Sequence, residues 1–148
     1  MTDSDRALGH LWFEEVWNKA RREAISEMMA SDALIHDGAT KTLGAEGCYP
    51  FYDRIRAAFP DIHITVDDTI AEGDKLVVRW SCSCTHTGNG LGFPATGRTA
   101  FFAGITILRI AGGKIIEGWQ NWDMLGLMDQ LQGTKSAATY VGTFAKRK

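Results

Sequence analysis

The hydrophobic pattern of this chain changes its period near residue 60, and this change limits the possible folds. Before it, apolar residues recur every three or four positions, which predicts helices at Asp5–Ala20, Arg22–Met29 and about Ala45–Phe59. After it, alternation and strand-like runs predict strands at residues 62–66, 75–86, 98–110 and 114–122. Because strands and helices do not alternate as in βαβ units, the order predicts an α+β fold with a curved antiparallel sheet. Such a sheet, packed on N-terminal helices, encloses a cone that suits an apolar ligand.

Three shorter segments complete this prediction. Ala33–His36 reads as a short strand, and Met124–Leu131 as a last short helix. The glycine-rich segment Thr87–Gly97 is predicted to be a loop. The residues after the last helix, 133–148, are predicted to form a flexible tail.

Composition narrows the class of protein. A length of 148 residues predicts a single domain over 1–148, and 45% hydrophobic residues suffice for a core. A net charge of −2 argues against a nucleic-acid partner. No apolar run reaches the roughly 18 residues of a membrane span. The polar segment Met1–Arg6 does not resemble a signal peptide, and an odd number of cysteines (Cys48, Cys82 and Cys84) argues against structural disulfides. We therefore expect a cytoplasmic protein with no membrane partner.

Strand parity assigns faces in the run from Val78 to His86. One face is apolar and carries Val78, Trp80, Cys82, Cys84 and His86, so we expect these side chains inside the cone. The two cysteines and His86 superficially suggest a metal site. Same-face neighbours lie about 7 Å apart, however, which disfavours a shared zinc ion and a disulfide. We expect no metal here, and cysteines that fill the core.

The last strand leads into Asp123, a residue with two possible uses. It stands between Trp122 and Met124, where a carboxyl enclosed in apolar surroundings would lose hydration and exchange protons near neutral pH. It also precedes the last helix and would serve as an N-cap. Parity places Trp119, Asn121 and Asp123 on one face, but neither face of this strand is plainly apolar, so parity does not select the inner one.

His36 ends the first short strand. It is expected either to point into the mouth of the cone, where it would bind a ligand carbonyl or move a proton, or to be a satisfied strand-end residue. Asp37 would then face the opposite way. Aromatic residues of the helices at helical spacing are expected mainly in the core, with one or two in a pocket wall: Trp12, Phe13, Trp17, Tyr49 and Tyr52.

An ordered set of short motifs resembles the SnoaL-like polyketide cyclase (ester cyclase) family. The resemblance covers residues 12–131. Its motifs are, in order, Phe59-Pro60-Asp61, Ala71-Glu72-Gly73-Asp74, Val77-Val78-Arg79-Trp80, Thr85-His86-Thr87-Gly88, residues 92–98, residues 113–117, Trp119, Trp122-Asp123 and Leu125-Gly126. The family's motif most often reads Glu-His-Trp where this chain has Glu117-Gly118-Trp119. If that histidine is needed for catalysis in the family, its absence here argues against a cyclase.

The resemblance implies a cone-shaped, cystatin-like α+β barrel of the ketosteroid isomerase superfamily, commonly dimeric and without metal or organic cofactor. In the cyclases an aspartate at the end of the last strand is the general acid/base, and Asp123 matches it. His36 and His86 match positions where the family usually carries histidine. We expect the homodimer to form through the convex sheet face, where Phe101 and Trp122 would be exposed.

The expected reaction is an intramolecular aldol-type ring closure of a polyketide-like or other small apolar carbonyl compound. Asp123 would take a proton and return it, while His86, His36 or Asn121 would donate hydrogen bonds to the enolate oxygen. Trp80 and Trp119 would hold the substrate, with Tyr52 and Phe13 in the pocket wall. The alternatives are a non-catalytic binder of apolar ligands and an isomerase or hydrolase that uses the same carboxylate.

Overall fold

The structure is a computed structural model that describes residues 1–133. All but the first residue of the tail predicted at 133–148 therefore lies outside the described residues. The predicted order of elements is confirmed apart from one additional short strand: helices and a first strand precede the long strands, and one helix ends the described chain. Within residues 1–133, no helix is both long and apolar enough to cross a membrane.

The N-terminal helix differs in kind from the single α-helix predicted. Helix α1 (Asp3–Leu11) begins with a capping box formed by Thr2 and Asp5. A π-helix (Trp12–Asn18) continues it, and its wider turn shows in the bond from the Lys19 N–H to the Glu14 carbonyl. The π-helix buries Phe13, Val16 and Trp17. The other helices are α2 (Ala24–Met28), α3 (Gly44–Ala58) and α4 (Met124–Leu131).

Six strands form one curved sheet in the order β2-β1-β6-β5-β4-β3. The bounds are Met29–Asp37 for β1, Thr40–Leu43 for β2, His63–Glu72 for β3, Lys75–Thr85 for β4, Thr99–Ala111 for β5 and Lys114–Trp122 for β6. All neighbours are antiparallel except β1 and β6, which run parallel. Strand β2 was not predicted, because this edge strand is largely exposed and lacks an apolar alternation.

The inner face of the sheet packs against α1, the π-helix and α3. On β4 this face carries Leu76, Val78, Trp80, Cys82 and Cys84, all of them buried. The predicted parity of this strand is therefore confirmed. The outer face carries the alternate residues, such as Arg79, which is exposed.

Strand β6 is irregular, which explains why parity did not assign its faces. Arg109 is paired with Glu117 and the next residue, Ile110, with Ile115, so Ile116 is the extra residue of a β-bulge. Beyond the bulge the inner face carries Gly118, Gln120 and Trp122, and the outer face carries Glu117, Trp119 and Asn121. The expectation that Trp122 is exposed on the convex face is wrong: its ring packs on Phe102 inside, with ring centroids 5.3 Å apart.

Candidate functional site

An inner cavity lies between the helices and the inner face of the sheet. Its volume is about 30 Å³, room for one or two water molecules. Nine of its lining residues are apolar or aromatic and one, Gln120, is polar; the nine are Phe13, Trp17, Phe51, Ile55, Ile62, Ile64, Trp80, Phe102 and Trp122. Side chains therefore fill most of the space in which the sequence predicted an apolar hollow.

An outer groove of about 430 Å³ adjoins the cavity, in the size range of small-molecule sites. The glycine-rich loop, α3 and α4 form it, with Arg54, Gly90, Leu91, Gly92, Phe93, Met124 and Met128 in its walls. Three further residues, Phe51, Ile55 and Trp122, line both the groove and the cavity. These three side chains, here called the partition, separate the two spaces, so a shift of the partition would join them.

Asp123 lies at the start of α4 with its side chain exposed. Its Oδ1 atom accepts a hydrogen bond of 2.9 Å from the Gly126 N–H, so the N-cap expected as one alternative is confirmed. The expectation of a carboxyl enclosed in apolar surroundings is wrong. The strand ends at Trp122, whose ring points inward. The N-cap hydrogen bond then holds the side chain of the next residue, Asp123, at the surface. Asp123 is nevertheless the neighbour of Met124, which lines the outer groove.

His36 lies on the outer face, outside the cone. Its Nε2 atom is 2.9 Å from Glu117 Oε2, and its ring stacks on Trp119 with centroids 5.2 Å apart and 4° between the planes. The reason is register: His36 pairs with Trp119, and residues paired across adjacent strands project to the same face. The expectation that His36, Trp119 and Asn121 line the pocket is therefore wrong.

The contacts of Glu117 make this part of the outer face an ionic cluster. The hydrogen bond with His36, followed by that from Arg109 Nη1 at 3.1 Å, lowers the pKa of the Glu117 carboxyl, against the opposing effect of partial burial. Arg109 also donates to Asp74 at 3.1 Å. These groups pair with one another, so the contacts of His36 within the protein account for its position and require no bound ligand.

The inner face carries three polar residues on adjacent strands, and no sequence motif links them because they are far apart in the chain. Gln120 of β6 is paired with Asp37 of β1 on one side and with Thr106 of β5 on the other. This assigns the inner side to Asp37, a choice between Asp37 and His36 that strand parity alone left open. Burial raises the pKa of the Asp37 carboxyl. These three residues, here called the polar row, cross an otherwise apolar surface.

His86 is fully buried just beyond the end of β4, as its parity predicted. Its Nδ1 atom accepts a hydrogen bond of 3.2 Å from the Thr96 N–H, so the neutral ring carries its proton on Nε2. Nε2 is buried and has no hydrogen-bond partner within residues 1–133. Burial lowers the pKa of His86. The ring lies between Phe59 and Phe93, and it is not in the wall of the cavity or the groove.

Two aromatic residues lie in the cavity wall as expected, and one does not. Phe13 and Trp80 line the cavity, with ring centroids 5.8 Å apart. Residue 104 of β5 has to be glycine, because a Cβ there would collide with the Trp80 ring. Tyr52 is buried behind the wall, where its hydroxyl donates to the Val16 carbonyl at 2.9 Å.

The buried cysteines belong to the core. The neighbouring Cys84 thiol, together with burial, raises the pKa of the Cys82 thiol, which disfavours the reactive thiolate. Cys48, Cys82 and Cys84 are free thiols. Within the described part of the chain, no group of three or more His, Cys, Asp or Glu side chains is arranged to hold a metal ion.

A comparison with protein families identifies the family of this chain. The model of the SnoaL-like polyketide cyclases matches residues 8–131. The chain belongs to this family. The match covers every element from the end of α1 to α4, including the strands that carry the cavity wall.

Solved structures similar to this SnoaL-like chain support the same assignment. TsrD from Streptomyces laurentii is 28% identical with a TM-score of 0.78, over 88% of this chain and 97% of that one. IdmH from Streptomyces antibioticus, described as a candidate polyketide cyclase, is 27% identical with a TM-score of 0.77, over 86% and 98%. A protein from Catenulispora acidiphila with a ketosteroid isomerase-like fold is 17% identical, with a TM-score of 0.72 over 84% of this chain and 92% of that one. No curated protein matches the sequence.

Proposed function

We propose that this protein catalyses a cofactor-independent, intramolecular aldol-type ring closure of a small apolar carbonyl compound. The observation that carries the proposal is that Asp123 stands in the chain between Trp122 and Met124, two residues in the wall of the groove that adjoins the cavity. A carboxylate at the edge of an apolar site can act on the exposed end of a ligand whose remainder is buried. Membership of the SnoaL-like family supports this reaction class.

Asp123 would act as both base and acid. One carboxylate oxygen is held by the Gly126 N–H, which leaves Oδ2 to remove a proton from a carbon between two carbonyl groups. The resulting enolate carbon attacks a second carbonyl of the same molecule, forming a carbon–carbon bond and an alkoxide. The carboxylic acid then returns its proton to the alkoxide, so no oxidant or reductant is needed. A substrate seated in the groove would exclude water from the carboxylate.

His86 is the histidine that would assist this step. Its Nε2–H is a buried donor without an acceptor among the described residues, and Phe93, a groove residue, covers the ring. If Phe93 turns aside when a ligand binds, Nε2–H would donate to an enolate oxygen, a type of contact typically worth a few kcal/mol in the transition state.

The experiment compares Asp123→Asn with Asp32→Asn, an exposed control on β1. Asparagine caps helices as well as aspartate does, so Asp123→Asn removes the base without removing the cap. With a β-dicarbonyl polyketide mimic, we expect the first variant to lose about 10²-fold or more in kcat and the control to lose none. Retained activity in Asp123→Asn would remove this aspartate from the mechanism. A hydrolase would add an oxygen atom from water, so its product formed in ¹⁸O-labelled water would carry the label.

A second candidate function is non-catalytic binding of an apolar ligand. The observation in its favour is that Asp123 is hydrated and serves as an N-cap, a structural use that needs no chemistry. Ligand affinity that is equal in the unsubstituted protein and in Asp123→Asn, with no product from either, would favour this function.

We also propose that two copies associate through the outer face of the sheet. Ile70 and Ile105 leave 63% and 48% of their surface exposed there. Phe101, half-buried, also belongs to this side of β5. The face carries charges of both signs, such as Arg79 and Asp74. A two-fold related copy would therefore cover apolar surface and set opposite charges against each other.

A further inference from the structure

We propose that the polar row is a subsite that binds a carbonyl or hydroxyl oxygen of the apolar ligand and so determines which ligands enter. The row is the inner-face set Asp37, Gln120 and Thr106. The proposal extends the proposed function and rests on it for the reaction at Asp123. The binding itself is independent of turnover.

Gln120 carries the argument furthest. It is the single polar residue in the wall of a cavity that is otherwise apolar. Within residues 1–133 its carboxamide makes no hydrogen bond, although it offers two N–H donors and a carbonyl acceptor. The residue is half-buried, so its carboxamide lies between apolar groups and has limited access to water. A ligand oxygen placed against it would gain a direct hydrogen bond in place of that water.

Thr106 adds a second donor beside the first. Its Oγ1 accepts a hydrogen bond of 3.0 Å from Trp80 Nε1, so the lone pair on that side is occupied. The hydroxyl proton has no acceptor among the residues that the structure describes. Thr106 is buried, and as the direct partner of Gln120 its Cβ lies about 5 Å from the Gln120 Cβ. One ligand oxygen between them would therefore accept from both side chains.

Asp37 supplies an acceptor at the other end of the row. It is half-buried on the inner side of β1 and makes no hydrogen bond or ion pair within the described chain. Its carboxyl would accept from a ligand hydroxyl. The row thus fits an apolar ligand with a carbonyl oxygen, and a neighbouring hydroxyl, at one end.

The position of the row also limits the length of the ligand. Gln120 precedes Asp123 by three residues of extended chain, about 10 Å at 3.3 Å a residue. A ligand anchored on the row must pass the partition to bring its other end to Asp123. The subsite therefore selects molecules of at least this length and fixes which end faces the carboxylate.

The experiment measures binding by calorimetry with two probes of matched shape, 2-acetylnaphthalene and 2-isopropylnaphthalene, which differ in the carbonyl oxygen. We expect the unsubstituted protein to bind the ketone about tenfold more tightly, the value of one well-made hydrogen bond. Gln120→Met, which keeps the length of the side chain, should reduce that preference to about twofold or less while leaving the hydrocarbon affinity unchanged. Thr106→Val should reduce it in part.

Two controls make the same chemical changes at exposed positions. Gln132→Met and Thr99→Val should keep the full preference. Equal binding of both probes to the unsubstituted protein, no measurable binding of either, or an intact preference in a folded Gln120→Met would overturn the proposal. If Gln120→Met fails to fold, Thr106→Val becomes the deciding variant. A full preference for the ketone in Thr106→Val would then overturn the proposal.

The test is separate from that of the reaction. Asp123→Asn should bind both probes as the unsubstituted protein does. If that variant keeps its turnover while the ketone preference depends on Gln120, the proposed mechanism fails and the subsite stands. If turnover depends on Asp123 but Gln120→Met keeps the preference, the subsite fails and the mechanism stands.

Discussion

The side-chain carboxamide of Asn18 pairs with the backbone of Ile64 as a neighbouring strand would. Asn18 Nδ2 donates to the Ile64 carbonyl at 2.8 Å, and Oδ1 accepts from the Ile64 N–H at 2.7 Å. Ile64 belongs to β3, the edge strand of the sheet, so this pair satisfies backbone groups that an edge leaves open. It also joins the end of the π-helix to the sheet, and residues of both elements line the inner cavity.

Replacing Asn18 by alanine should lower the free energy of unfolding by about 2 kcal/mol, because two partly buried hydrogen bonds are lost and the Ile64 groups lose their partner. Urea denaturation at neutral pH measures the change. Asn121→Ala is the matched control on the outer face and should change the free energy by about 0.5 kcal/mol or less. Equal losses in the two variants would show that the Asn18 pair is not stabilising.

The N-cap at Asp123 gives a second prediction, which concerns stability alone. Asp123→Ala removes the acceptor of the Gly126 N–H and should cost about 1 kcal/mol, whereas Asp123→Asn should cost little. Thermal unfolding of both variants beside the unsubstituted protein makes the comparison. Equal stability of the alanine and asparagine variants would contradict the cap. If Asp123→Asn is as stable as the unsubstituted protein, a loss of activity in this variant reflects chemistry rather than folding.

Much of the fold follows from hydrophobic periodicity. Helix α4 begins and ends at the predicted residues, and the buried face of β4 is the predicted one. These elements have strong, regular patterns, since each packs one face on the core. The π-helix was missed because its apolar spacing reads as an α-helix, and β2 because its residues are polar on both faces.

The site was less predictable, for two physical reasons. Parity gives relative faces and not absolute ones, so His36 and Asp37 were assigned to opposite sides without a choice between them. The choice depends on the parallel pairing of β1 with β6, a contact between strands far apart in the chain. The bulge at Ile116 then changes which residues of β6 face inward, and nothing in the local sequence marks it. Trp119, which was expected to hold the substrate, therefore lies on the outer face, and Gln120 lies on the inner one.

His86 gives a prediction about pH. Burial holds the pKa of this histidine below its ordinary value of 6.5, so the unfolded chain takes up the proton first as the pH falls. The stabilising contribution is complete above about pH 6.5 and is lost progressively as the pH falls from there towards the lower folded-state value. His86→Gln should show a smaller loss of stability over this window in urea denaturation. His10→Gln, an exposed control, should behave as the unsubstituted protein. An unchanged pH slope in His86→Gln would contradict the prediction.

The proposed association through the outer face predicts the effect of a charge at its apolar centre. Ile105 is 48% exposed on β5, beside Arg79 and Asn121 on the neighbouring strands. Ile105→Asp would bury an unpaired carboxylate between two copies, so the dimer should dissociate. Light scattering with size-exclusion chromatography should change from about twice the chain mass of 16.3 kDa to that of one chain. Leu125→Asp is the matched control, because Leu125 is 74% exposed on α4, away from the sheet, and this variant should stay dimeric. A monomeric unsubstituted protein, or a dimer that survives Ile105→Asp, would show that the copies do not meet at this face.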